Sequence, residues 1–137
     1  MPKEFSIALL GEADETLKTH LIRDDYEEDV CFALWTPSEG ANRFSALIHS
    51  PVLPLDGDRQ RHGNASFNVQ YFERVCQLAV QKGCGIAFLH SHPGNGWQEM
   101  SSDDIKAEHK IAGATLGLTE LPLIGLTVGH DGVWSGR

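Results

Sequence analysis

Residues 85–105 read GIAFLHSHPGNGWQEMSSDDI. The run GIAFL has no polar interruption before His90, the pattern of a buried strand, expected here to continue through His92. Alternation along a strand sends His90 and His92 out of one face and Ser91 out of the other, so both imidazoles can converge on a single ion. The segment PGNGWQEM is a glycine-rich loop. Ser101 then opens a helix with Asp103 and Asp104 in its first turn, where carboxylates complement the helix dipole. That helix carries Ile105, His109, Ala112 and Leu116 at helical spacing, which predicts His109 on its packed face. Two histidines and one aspartate fill three positions of a tetrahedral zinc and leave the fourth for water, as in a catalytic site; a closed structural site would be expected to recruit Cys. The deaminase signature, HxE followed by PCxxC, does not occur.

Upstream of this stretch, residues 67–82 place Val69, Phe72, Val75, Cys76, Ala79 and Val80 on one helical stripe that stops at Gly83. Before it lies a long loop, Ser50 to Ser66, rich in Pro, Gly, Asp and Asn. VCFALW, from Val30 to Trp35, and RFSALIHSPV, from Arg43, read as a hairpin. A first strand is expected over Phe5 to Leu10 and a first helix over Glu12 to Ile22. Downstream, residues 121–129 (LPLIGLTVG) read as the last full strand, and GVWSGR as a strand or turn. Strands interspersed with helices predict one α/β layered domain over residues 1–137.

Eleven Lys and Arg against nineteen Asp and Glu give a net charge of −8, which speaks against nucleic acid and anionic membrane surfaces as partners. The start, MPKEFSIALLGEADE, lacks a secretory pattern, so a cytoplasmic location is expected. Cys31, Cys76 and Cys84 form neither a CxxC pair nor a disulfide ladder and are read as reduced, buried small hydrophobes. Arg59 and Arg61 make a short basic pair, read as a partner contact.

The stretch HSHPGNGWQEMSSDD resembles the metal-binding motif of the JAMM (JAB/MPN) metallo-isopeptidase family: HSHP, a loop, then Ser, two residues and Asp, with a Glu well upstream. His90 to Gly94, the loop Trp97, and Met100 before Ser101, with Asp104 and Ile105 following, all match that pattern. The resemblance implies that His90, His92 and Asp104 hold one zinc ion and that Ser101 helps stabilise the oxyanion. The family usually leaves seven residues between the second His and the Ser, whereas Pro93 to Met100 makes eight. A flexible glycine loop absorbs one residue cheaply, which keeps Ser101 and Asp104 in their three-residue relation; holding the loop length instead would make Asp103 the ligand. The family's general base lies just before the first core strand. EEDVC offers Glu27, Glu28 and Asp29, and Glu28 fits best, with Cys31 at the usual glycine position.

The resemblance further implies a deaminase-like three-layer fold with a central mixed sheet flanked by helices. The flavour is that of bacterial JAB domains associated with ThiF-like activating enzymes. The implied activity is zinc-dependent isopeptidase or peptidase cleavage after the C-terminal tail of a ubiquitin-like protein, in a bacterial conjugation pathway of the kind linked to antiphage defence. Activating and conjugating enzymes of that pathway are the further implied partners. Two alternatives stand beside it: a zinc hydrolase of a small amide or amino-acid conjugate, and a non-catalytic MPN binding module. Modules of the latter kind lack the HxH and aspartate set present here. Dependence on a folded ubiquitin-like substrate separates the first alternative.

Overall fold

The computed structural model describes residues 4–24, 28–40, 43–60, 66–92 and 102–136; at positions 4–5, 39–40, 43, 60, 66, 102–105 and 107 it describes the backbone alone. In chain order the elements are β1 (Glu4–Leu9), α1 (Gly11–Leu21), β2 (Val30–Gly40), β3 (Arg43–Val52), β4 (Arg59–Gln60), β5 (Ser66–Phe67), α2 (Val69–Lys82), β6 (Gly85–Ser91), α3 (Ser102–Thr119), β7 (Ile124–Val128) and β8 (Trp134–Gly136). Six strands form one mixed sheet in the order β1-β3-β2-β6-β7-β8, and β4 pairs with β5 apart from it. The β1–β3 and β6–β7 pairs are parallel; the other neighbours run antiparallel. A parallel pair needs a crossover, and α3 supplies it between β6 and β7. The α/β layering expected from the sequence is therefore present.

Alternation along the central strands feeds two apolar clusters, one per face. Cys31, Ala33, Trp35, Ala87, Leu89 and Leu126 pack with Leu17 and Leu21 of α1. Val30, Phe32, Leu34, Ile86 and Phe88 pack with Tyr71, Val75 and Ala79 of α2 and Ile111 of α3. Because β2 and β6 are covered on both faces, they read as near-continuous apolar runs. Tyr71 joins helix to sheet: its hydroxyl accepts a hydrogen bond from Phe32 N (2.9 Å) and donates one to the Val52 carbonyl.

Several boundaries differ from the sequence reading. Strand β2 does not stop at Trp35 but runs on through TPSEG to Gly40, paired with β3 and carrying a register shift at Leu34/Trp35. Pairing with β6 ends at Trp35, so Pro37 lies where β2 has no neighbour on that side and its missing N–H costs no ladder bond. The 50–66 loop holds β4, and Phe67 belongs to β5 rather than to the helix. In α2, Tyr71, Val75, Cys76 and Ala79 are buried while Val69 and Val80, placed on the packed stripe from sequence, are exposed. In α3 the inward stripe is half-buried Glu108 with buried Ile111 and Thr115, one residue out of phase with the expected one; His109 and Leu116 are exposed. Two polar residues on that inward stripe conceal it from an apolar periodicity. All three cysteines are buried and free, as expected. Among the described residues no helix is long and apolar enough to cross a membrane.

Two glycines are fixed by their surroundings. Gly83 caps α2 at φ 66°, a left-handed conformation that L side chains avoid. Gly85 opens β6 directly against the indole of Trp35, which is fully buried and donates from Nε1 to the Ile86 carbonyl at 3.2 Å. A Cβ at position 85 would overlap that ring, which has nowhere to withdraw. Gly85→Ala is expected to destabilise by about 1–3 kcal/mol, as overpacking of a filled core does. A lowered urea midpoint with unchanged slope is the measurement; an unchanged midpoint would mean that the ring moves freely.

Candidate metal centre

The C-terminal end of β6 carries the two histidines. Val30 of β2 is the Cα partner of His90 on one side and Thr127 of β7 on the other. His90 is only 2% exposed, and His92 is half-buried just beyond the strand, its N–H donating to the Val128 carbonyl at 3.0 Å. The two imidazole rings lie with centroids 5.1 Å apart and planes at 51°. They share a face, as alternation requires, and it is the face that α2 and α3 cover, because Phe88 of that cluster lies two residues before His90 with ring centroids 5.7 Å apart. The Thr127 hydroxyl is 3.2 Å from His90 Nε2 and so holds the plane of the ring. Metal-ligating imidazoles are commonly oriented in this way through their second nitrogen.

Ser91 points to the opposite face and has work there. Its hydroxyl accepts the Asp29 N–H at 2.9 Å, and its own N–H donates to the Asp29 carbonyl at 3.1 Å. These bonds carry the β2–β6 pairing one residue past Val30. The ladder itself ends at Val30 and His90; continued past Asp29 and Ser91, its register would set Glu28 across from His92, on the histidine face. Glu28 is half-buried. Of the three acidic candidates, Glu27 lies outside the described residues.

Asp29 is excluded as a proton shuttle by its company. It is fully buried, and Arg59 meets it with two hydrogen bonds, Nε to Oδ1 at 2.5 Å and Nη2 to Oδ2 at 3.2 Å. Arg23 Nη1 is 3.4 Å from Oδ2, His20 Nε2 is 3.6 Å from Oδ1, and the Val30 N–H donates to Oδ1 at 2.8 Å. Burial pushes the carboxyl upward, but His20, Arg59 and the Val30 amide together outweigh it and hold Asp29 well below the usual carboxylate range. Arg59, read from sequence as a partner contact, is thus turned inward as a counter-ion; Arg61 lies outside the described residues. Burial also pushes the Cys31 thiol up to about 12, so it stays protonated and does not act as a nucleophile near neutral pH.

The remaining expected members belong to the start of α3. Ser101 and Trp97 lie outside the described residues, as do the side chains of Asp103 and Asp104, whose backbone forms the first turn of the helix. Since α3 leaves the end of β6 and returns to the start of the parallel strand β7, its first turn is at the sheet end where the histidines are. Among the described residues no group of three or more His, Cys, Asp and Glu gathers at one point. Sequence reading missed the inward carboxylate of Glu108, which lies over Gly125, where a Cβ would occupy its place. It also missed the roles of Thr127 and Arg59. A glycine in a buried strand opposite a helical Glu was the one local signal for the first; the other two depend on pairings far apart in the chain.

Comparison of the chain with protein-family models finds no match, and comparison with curated proteins finds none either.

The Asp29 cluster gives a test in acid. An aspartate whose folded pKa is depressed contributes stability that is present above its unfolded value of about 3.9 and is lost as pH falls below it. Asp29→Asn leaves Arg59 and Arg23 facing a neutral amide and is expected to cost about 3–5 kcal/mol at pH 7. Denaturant titrations at pH 7 and at pH 3 are expected to show the gap between parent and variant narrowing in acid. A gap of equal size at both would show that the carboxylate charge contributes nothing.

Proposed function

We propose that this chain is a zinc-dependent isopeptidase of the JAMM (JAB/MPN) type, with the deaminase-like three-layer fold of that family. Its substrate is a ubiquitin-like protein, cleaved after the C-terminal tail from a lysine conjugate or a precursor. The observation that carries this reading is the pair of imidazoles on one face at the end of β6, with ring centroids 5.1 Å apart; the β2–β6 register, continued past Val30 and His90, would bring Glu28 opposite the second of them. The motif resemblance covers the same residues.

The donor set fits zinc. Two imidazoles, which are borderline donors, and a carboxylate, which is a harder one, make a set that zinc takes, and one of the imidazoles is already oriented by a hydroxyl. His90, His92 and Asp104 would hold the ion. Counting back from the inward residues Glu108, Ile111 and Thr115, the stripe reaches position 104, four residues before Glu108, rather than position 103. When bound, zinc supplies Lewis acidity, which polarises a carbonyl and lowers the pKa of a water toward about 7.

The protein's own groups do the rest. Glu28 removes a proton from the water that attacks the scissile carbonyl and returns it to the departing amine, so that amide and water become carboxylate and amine. Ser101 donates its hydroxyl to the carbonyl oxygen as charge develops there. Thr127 keeps His90 from turning. The three buried cysteines take no part, and no covalent intermediate is required. The proposed setting is the cytoplasm of a bacterium, in a ubiquitin-like conjugation pathway of the antiphage kind with its activating and conjugating enzymes.

Elemental analysis of the purified chain is expected to find about one zinc per chain, reduced in His90→Ala, His92→Ala and Asp104→Ala. Loss in Asp103→Ala with retention in Asp104→Ala would reassign the third ligand. Zinc-free parent protein that takes up no zinc in dialysis would end the metal reading.

Catalysis is tested with a panel of ubiquitin-like proteins joined through their tails to a fluorescent protein. The parent should cleave at least one, and Glu28→Gln should bind zinc normally yet lose about 10²- to 10⁴-fold in rate, with Glu27→Gln unaffected. Full activity in both variants would remove Glu28 from the mechanism. Cleavage of a short tail peptide as fast as of the folded fusion would point to the small-amide hydrolase instead.

A further inference from the structure

We propose that Asp29, clamped by Arg59 and by the Ser91 hydroxyl, is the positioning residue that aims Glu28 at the histidine pair; the proposal rests on the reading of Glu28 given above. Glu28 and Asp29 are consecutive, so an extended backbone sends their side chains to opposite faces. Fixing one direction fixes the other. Asp29 is held at both of its main-chain groups by Ser91, the residue between the two histidines. Its side chain is held by Arg59 and, at longer range, by Arg23 and His20. The distance from Glu28 to the imidazoles is thereby set by the residue pair Asp29 and Ser91.

Arg59 does not hang free on its loop. Its neighbour Asp58 accepts from the Leu55 N–H at 2.7 Å and meets Arg74 of α2 at 2.7 Å, while the Asp58 carbonyl accepts from Asn68 N–H at 2.7 Å. The guanidinium that clamps Asp29 is therefore anchored to α2, the helix packed on the histidine face. An apolar pair of similar volume would stabilise such a buried spot as well or better than a carboxylate with guanidinium partners. What ions add is direction: a two-point contact of planar groups fixes orientation as greasy packing does not. A general base needs that, since a displacement of about 1 Å can cost on the order of a hundredfold in rate.

The experiment uses the full chain and two variants outside the proposed catalytic set, Arg59→Gln and Ser91→Ala, with Arg59→Lys as the conservative control. The first readout needs no substrate: the side-chain carboxyl ¹³C signal of Glu28, assigned by its loss in Glu28→Gln. The d–d spectrum of the chain loaded with cobalt(II) alone reports whether the metal site is disturbed. In Arg59→Gln the Glu28 signal is expected to shift and broaden while the cobalt spectrum stays that of the parent, with Arg59→Lys in between. On whichever tail fusion the parent cleaves, kcat should fall roughly ten- to a hundredfold with KM within about twofold. Ser91→Ala, which removes only one hydroxyl, should move the same readouts in the same direction and decides the matter if Arg59→Gln does not fold. An unmoved Glu28 signal in either folded variant overturns the proposal. So does a kcat equal to that of the parent, or a loss confined to KM. Failure of the parent to cleave any fusion would count against the isopeptidase reading alone, because the carboxyl signal still decides whether the clamp holds Glu28.

Discussion

The antiparallel pairing of β2 with β6, running from Trp35 opposite Gly85 to Val30 opposite His90, is the constraint on which the arrangement rests. A slip of one residue would exchange the faces of every side chain in one of the two strands. His90 would turn toward α1, and Phe88 and Ile86 would leave their cluster with Phe32 and Leu34. The apolar residues on both faces forbid it, so packing in the middle of the sheet fixes the direction of His90 at its end. The register shift in β2 falls on its β3 side, at Leu34/Trp35, and leaves the six successive pairs with β6 in step. Trp35 fits over Gly85 at one end of this ladder, and Asp29 locks to Ser91 at the other.

Sequence reading recovered what period-two alternation and local punctuation can carry. The buried strand from Gly85, the shared face of His90 and His92, the opposite direction of Ser91 and the glycine stop at Gly83 all follow from patterns a few residues long. Of the helix faces, that of α1 was recovered through Ala13, Leu17 and Leu21, that of α2 in part, and that of α3 was not. In α2, Val75, Cys76 and Ala79 are buried as expected, but Val69 and Val80, equally apolar, are exposed, and Tyr71, bonded to Phe32 N and the Val52 carbonyl, is buried instead. In α3 the inward positions include Glu108 and Thr115, so hydrophobic periodicity pointed one residue away. The site divides in the same manner. The shared face of its histidines was legible from spacing, whereas the burial of Asp29 within an acidic run was not, since Arg59 lies 30 residues from the carboxylate it neutralises. Asp104 and Ser101 continue to rest on the motif and on helical spacing.

Separating two adjacent carboxylates across a sheet also separates their electrostatics. Two ionised groups on one face would raise each other's pKa and repel the same partners. Here the sheet lies between them. Asp29 finds His20 in the last turn of α1, Arg23 just past its end and Arg59 of β4, so its charge is compensated there. In the proposed reading Glu28 lies on the side of the imidazoles, where a basic carboxylate would have a use. Alternation would then give consecutive residues two different tasks, a fixed anion at Asp29 and a proton carrier at Glu28.

The same geometry explains why Ser91 suits the position between the histidines. A larger side chain there would have to enter the ion cluster around Asp29, and an apolar one would leave the Asp29 N–H without its acceptor at a fully buried point. Serine is small enough to sit beside the buried carboxylate and polar enough to accept from the adjacent backbone. Threonine would keep the hydroxyl but add a methyl group to a space already shared by Arg59, Arg23 and the Val30 amide. The identity of the residue between two candidate ligands is therefore governed from the far side of the sheet, by the charge cluster around Asp29.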